Sequence, residues 1–262
     1  MEPTPTTGTA AFDKPWAELP AATSDAELVE TYSACVKLIT DADKQADGSY
    51  RRNYSICYDP AHYVALWVAY PMHTWYTSGS NTSETFTIDP AFSSSQQVSN
   101  TYVGYSRGHQ IAKAQRKVTA LARKQTNYYT NMTPQNQTLN GGKWAQLEEN
   151  ERSAWICSDT LYCVSGCHFA NYNTTAVNND GKTCPVPTHY YKVMLRTVSG
   201  NTGKSVMACS ASELKCIGYW VEHNSSATPQ AMSVAEIERL TGQTFFVNVP
   251  NAPKTVFNES LW

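Results

Sequence analysis

At 262 residues the chain has room for one large domain or two small ones, with a substantial buried core. Charged residues are only 16% while tyrosine (16) and tryptophan (7) are abundant, which excludes a disordered polyelectrolyte; no apolar run approaches the roughly eighteen residues that cross a bilayer as a helix. A net charge of −2 would speak against a nucleic-acid partner if it were spread evenly.

In chain order, residues 1–23 form a Pro/Thr/Ala stretch without a basic-then-apolar signal segment, expected to be a flexible tether behind a removed export signal. Ser24-Asp25-Ala26-Glu27 has capping-box spacing and predicts a short helix into the early thirties. Strands are expected near 52–58 and 63–70, the second a continuous apolar run that reads as buried. Residues 77–100, rich in Ser, Thr and Asn, predict a loop. A strand near 101–106 would deliver His109 at its end, and a basic, poorly amphipathic stretch follows to 125. Residues 127–132 read as a strand and 141–154 as a helix. Further strands are expected at 158–168 and 189–199, with a loop over 170–187 between them and a hairpin from 204–210 and 216–222. Ser233-Val234-Ala235-Glu236 is a second capping box, opening a helix that Gly242 ends. With no repeats, this is a single domain over 24–262: α+β, a central antiparallel sheet with flanking helices.

Eight cysteines are many for a reduced cytosol, and none sits in a Cys-x-x-Cys pattern. They are expected to form disulfides in a secreted, periplasmic or cell-surface protein, with Cys163/Cys167 and Cys209/Cys216 as local pairs. Buried free thiols are the alternative.

Charge is distributed unevenly. Between Asp89 and Glu148 there is no acidic residue, while Arg107, Lys113, Arg116, Lys117, Arg123, Lys124 and Lys143 give +7, leaving −9 for the rest. A basic block in an acidic shell suits steering a polyanion to one face, with Arg107, Lys113, Arg116 and Lys143 as substrate contacts. A solvated basic loop is the alternative.

Ser106-Arg107-Gly108-His109, Asn131-Met132-Thr133-Pro134-Gln135 and the run from Leu139 through Asn140, Gly141, Gly142 and Glu148 to Arg152 fall on strand, strand and helix. Phosphodiester hydrolysis needs an activated water, stabilisation of the phosphoryl oxygens and a proton for the leaving 3′-oxygen. His109 is the candidate base, since imidazole is mostly neutral at pH 7, and Arg107 supplies a phosphate-binding cation. Asn140 is the candidate metal ligand; a neutral amide oxygen suits water-rich Mg²⁺. Its other reading is an N-cap. Glu148, eight residues on, lies within about 80° of Asn140 on an ideal helix and could orient the metal's waters. Arg152 reads as a phosphate contact, a positioner of Glu148, or an ordinary i,i+4 surface pair with it. Asn131 could hold the histidine region, contact substrate or satisfy loop backbone, and Trp144 is most simply a core anchor.

These motifs resemble the DNA/RNA non-specific endonucleases of the ββα-metal class, which include secreted bacterial nucleases and endonuclease G. The similarity extends through Ala65–Tyr70, Asp89-Pro90 and Ser233–Pro250, covering roughly residues 50–250. It implies a ββα-metal active-site motif and a Mg²⁺-dependent endonuclease, with Mn²⁺ as a substitute, cutting DNA and RNA to leave 5′-phosphate ends. It also implies His109 as base, Asn140 as metal ligand, Glu148 as metal-water partner, and Asn131, Arg107 and Arg152 in support, in a monomer or homodimer. One departure stands out: most members carry Asp where this chain has Ser106. The competing readings are a catalytically impaired relative that binds nucleic acid, and a disulfide-stapled surface module.

Overall fold

The computed structural model describes residues 14–21, 33–80 and 82–262; the helix expected from Ser24 lies outside them. Seven strands build one sheet: β1 (Ser33–Ile39), β2 (Arg51–Asp59), β3 (Val64–Met72), β6 (Leu161–His168), β9 (His189–Thr197), β10 (Leu214–Glu222) and β11 (Gln230–Met232), in that spatial order. Every neighbouring pair is antiparallel. Among the described residues β4 (Ser106–His109) pairs only with β5 (Met132–Gln135), and β7 (Thr175–Val177) only with β8 (Thr183–Pro185). The helices are short: α1 (Thr74–Thr77), α2 (Ala120–Thr126), α3 (Gln137–Leu139), α4 (Ala145–Arg152) and α5 (Val234–Thr241). None of the described helices is long and apolar enough to cross a membrane.

Both faces of the sheet are covered, which is why its strands read as nearly continuous apolar runs rather than as alternation. On one face Tyr54, Ile56, Val68, Tyr70, Met72, Tyr190, Met194 and Ile217 pack against Leu139, Trp144 and Leu147 of the helical segment after β5. On the other, Trp67, Val164, Tyr191, Val193, Leu195 and Cys216 meet Val234 and Ile237 of α5, together with Phe245, Phe246 and Val249. Successive side chains of one strand point to opposite faces, so Tyr190 and Tyr191 serve different layers. Gly166 permits this packing, because a Cβ there would lie 2.3 Å from the Tyr191 hydroxyl oxygen.

Several expectations shift. The expected tether includes residues 14–21, of which Ala17 and Leu19 are buried in the second layer and Glu18 pairs with Arg52. The stretch 204–210 holds a short 3-10 turn (Val206–Ala208), capped by the Ser205 hydroxyl, rather than a strand. β10 has no use for a partner there, being flanked by β9 and β11. The 170–187 loop contains the β7–β8 hairpin. All eight cysteines are free thiols. Cys163 and Cys167 lie four residues apart on β6, about 13 Å along a strand, beyond disulfide reach. The thiols as they stand withdraw the support that cysteine pairing lent to an exported protein.

The second capping box is half of one. Ser233 Oγ accepts the Glu236 amide at 3.2 Å, but the Glu236 carboxylate turns outward to Arg239. Gly242 ends α5 with φ 72°, the left-handed conformation glycine adopts at least cost.

Candidate functional site

The site is built on the β4–β5 ladder and the helical segment that follows. Ser106 pairs with Gln135 and His109 with Met132, so the expected first strand begins where the sequence pattern had ended it. Gly108 is required at this crossing. A Cβ there would stand 2.5 Å from Gln135 Cβ and 2.6 Å from its Oε1. The second strand also starts later than expected, after a 3-10 turn over Tyr129–Asn131.

His109 Nε2 lies 3.0 Å from Asn127 Oδ1. Asn127 Nδ2 donates to the Glu84 carbonyl at 2.7 Å, which turns its oxygen toward the imidazole. Nε2 therefore carries the proton and Nδ1 keeps its lone pair. The ring rests 5.6 Å from Phe86, which also carries the Arg107 guanidinium 3.5 Å from its ring centroid. Burial lowers the His109 pKa to about 4; the Asn127 hydrogen bond opposes this, and Arg107 and Lys113 add to it.

Asn131 is fully buried. Its Nδ2 donates to the Ile111 carbonyl at 2.9 Å and the Thr126 carbonyl at 2.7 Å, and its Oδ1 accepts the Ile111 amide at 3.1 Å. Two of these bonds hold Ile111, just beyond His109, and the third holds the end of α2 at Thr126. This is the loop-holding reading, and it leaves no atom for substrate.

The helical segment opens at Asn136, whose Oδ1 accepts the amides of Thr138 and Leu139. Asn140 is therefore not the N-cap. It has helical dihedrals, and its side chain has no hydrogen-bond partner among the described residues. Between Asn140 and Trp144 the chain kinks at Gly141-Gly142 before α4 begins. Asn140 and Glu148 therefore do not lie on one regular helix, and the offset of about 80° on an ideal helix does not carry across the kink. Two glycines make that local departure affordable in backbone terms: Gly142 sits at φ −111°, ψ −106°.

Trp144 is fully buried, so it cannot stack on a base. Its indole N–H points to the His109 carbonyl at 3.4 Å, tying helix to strand. Burial raises the Glu148 pKa to about 7; the Lys192 and Arg152 charges and the polar indole of Trp144 oppose this, and Glu151 adds to it. Arg152 pairs with Glu149, not with Glu148. Beneath them Glu151 is held by Lys192 Nζ at 2.7 Å, the Tyr70 hydroxyl at 2.8 Å and Gln115 Nε2 at 2.9 Å.

The basic block is thinner than its sequence. Arg116 is fully buried, donating to Asn53 and Pro71 carbonyls at 2.8 Å and stacking 4.2 Å over Tyr76. It cannot contact substrate. Arg123 is also buried, against Glu84. Arg107, Lys113, Lys117, Lys124 and Lys143 remain at least partly exposed, with Lys113 reaching the Thr82 carbonyl at 3.1 Å. Sequence reasoning missed Asn127, Glu151 and Lys192. No local pattern marks them, although Asn127 precedes Asn131 by four residues.

The two shifted groups have opposite linkage. His109 stabilises the fold above pH 6.5, its ordinary value, and that contribution drains as pH falls through about 4. The Glu148 contribution is complete below 4.5 and is lost as pH rises through about 7. His109→Gln removes only the first. Urea unfolding at pH 7.5 and 4.5 should show the native chain losing more stability between them than the variant does; equal losses would contradict a buried neutral imidazole.

Comparison with known proteins follows the same outline. The family model described as DNA/RNA non-specific endonuclease matches residues 36–252. Mitochondrial endonuclease G of Bos taurus is 28% identical over 166 residues, covering 57% of this chain and 54% of that protein. Mitochondrial nuclease EXOG of Mus musculus is 27% identical over 211 residues, 74% of this chain and 55% of that protein. The nuclease of Serratia marcescens is 27% identical over 187 residues, 66% and 68% respectively. The chain thus spans about half the length of the mitochondrial relatives. A chain in the crystal structure of the EndoG/EndoGI complex shares the fold with TM-score 0.58 and 23% identity, over 75% of this chain and 84% of that one.

Proposed function

Since this chain belongs to the DNA/RNA non-specific endonuclease family, we propose that it hydrolyses phosphodiester bonds within DNA and RNA, with His109 as general base, and leaves 5′-phosphate ends. The observation that carries this is the imidazole itself. Asn127 fixes its tautomer and burial keeps it neutral, so Nδ1 is free to accept a proton across the physiological range. Nδ1 takes the proton of a water whose oxygen attacks phosphorus; the P–O3′ bond breaks, and the 3′-oxygen leaves as an alcohol once protonated. Asn131 and Trp144 are positioning residues, acting through the His109 carbonyl and the Ile111 backbone that follows it.

The donor set fits Mg²⁺, or Mn²⁺ in its place. Asn140 offers an amide oxygen without a competing partner, and Glu148, on α4 just beyond the Gly142 kink, is a carboxylate that would act through water. No three His, Cys, Asp or Glu side chains converge among the described residues, which suits an ion that keeps most of its own water. When bound, such an ion neutralises charge on the phosphoryl oxygens and acidifies water beside the leaving group. Arg107 and the exposed lysines would draw in the phosphate backbone.

Incubation of plasmid DNA and of RNA with Mg²⁺ should give nicking and degradation that EDTA abolishes. No cleavage with Mg²⁺, Mn²⁺ or Ca²⁺ would overturn the proposal. Salt-sensitive binding without cleavage would then favour the impaired-relative reading, which Ser106 motivates by lacking a carboxylate at the head of β4.

A further inference from the structure

A cavity of about 480 Å³ opens at the far end of the β4–β5 ladder from His109. Tyr105, Asn136, Asn171, His189, Glu222 and His223 supply its polar wall. Tyr105 immediately precedes β4 and Asn136 immediately follows β5. The cavity therefore lies about 13 Å from His109 along the strand, and one helical turn, about 6 Å, before Asn140. That spacing puts the cavity within reach of a nucleotide flanking a bond cleaved at His109.

The wall is built rather than incidental. His223 Nδ1–H donates to the Pro187 carbonyl at 2.7 Å, and its Nε2 accepts the Asn136 amide at 2.6 Å. That pair of bonds requires a neutral imidazole. Its ring packs edge-on against Tyr190 at 5.1 Å and 6.0 Å from Tyr105. His189 stacks on Trp220 at 4.6 Å, and burial lowers the pKa of both histidines. The Tyr105 hydroxyl and the Glu222 carboxylate have no hydrogen-bond partner among the described residues.

The lining contains one carboxylate and no lysine or arginine. Such a wall repels a phosphodiester. It suits instead a flat, uncharged group with hydrogen-bond donors on its edge. We propose that this cavity is a subsite for a nucleobase bearing an exocyclic amino group, stacked on Tyr105 and donating to Glu222, in a nucleotide flanking the bond cleaved. This rests on the nuclease reading above. A carboxylate accepts from the cytosine N4 amino group, whereas thymine presents an O4 acceptor at that position. Stacking on Tyr105 is tolerant of sequence, because every base has a π face.

The test compares KM for two single-stranded oligonucleotides differing only in a cytosine or thymine tract, with the native chain, Glu222→Gln and Tyr105→Ala. Glu222 is exposed, so Glu222→Gln should fold; thermal unfolding checks Tyr105→Ala. The native chain should prefer cytosine, Glu222→Gln should bring the ratio near one, and Tyr105→Ala should raise KM on both substrates by roughly tenfold. An unchanged ratio in Glu222→Gln together with an unchanged KM in Tyr105→Ala overturns the subsite. If the native chain cleaves neither oligonucleotide, the nuclease reading has failed. The same comparison read as binding anisotropy in EDTA then decides the subsite by the same criteria.

Discussion

His109→Ala is expected to lower the rate of DNA and RNA cleavage by roughly 10²–10⁴-fold, the usual worth of a positioned general base. The loss should appear in kcat, because the imidazole is needed when the proton moves and makes no ion pair with substrate beforehand. Asn127→Ala should retain more activity. It leaves the base in place and removes only the acceptor that holds Nε2–H at 3.0 Å, so the ring is free to turn and to exchange tautomers. Asn127→Asp is informative in the opposite sense. A carboxylate facing Nε2 favours the charged imidazole and should raise the pH at which activity falls on the acid side. Rates of plasmid nicking across pH 4–8, beside thermal unfolding of each variant, separate these effects. A His109→Ala protein that folds and cleaves within tenfold of the native chain would remove the histidine from the mechanism.

The second large effect concerns the support beneath the site. Glu151 and Lys192 are both fully buried, and the ammonium also lies 4.6 Å over the Trp144 ring. Removing one partner strands the other charge where water cannot reach it. Lys192→Met or Glu151→Leu alone should therefore cost about 3–5 kcal/mol, whereas the double variant should recover much of that loss. Glu151→Leu also removes the acceptor of the Tyr70 hydroxyl and one of the two acceptors of Gln115 Nε2, so it should be the worse of the two. Urea unfolding of the single and double variants measures the coupling. Single variants within 1 kcal/mol of the native chain would mean that the pair is solvated in solution. The pair also bears on the site: it fixes α4 to β9 one turn from Glu148, so partial loss of α4 docking should slow cleavage before the protein unfolds.

The parts of this molecule legible in its sequence are those governed by neighbours a few residues apart. Ser233 and Gly242 bracket α5 because a cap acts within one turn. The apolar runs of β2, β3, β6 and β9 are visible because two-sided burial leaves no polar alternation. The stretch 204–210 misled because a short β-prone run and a capped 3-10 turn look alike until the neighbouring strand's partners are known. Asn140, Glu148 and His109 stand out as a motif; the kink at Gly142 between the first two does not, since helical arithmetic assumes a regular helix.

Motif identity and local spacing thus pointed to the family, the α+β class and the candidate site residues. Tertiary structure alone decided which charges those residues meet. Arg116 and Arg123 count as cations in the sequence, yet they are spent inside the fold. Arg152 had two acidic neighbours within reach and took Glu149. The Asn127 oxygen is aimed at His109 by a carbonyl 43 residues upstream. Lys192 reaches Glu151 only because β9 lies beside β6, under the helix. Burial and long-range pairing depend on which strands become neighbours, and no interaction within one turn of the chain encodes that.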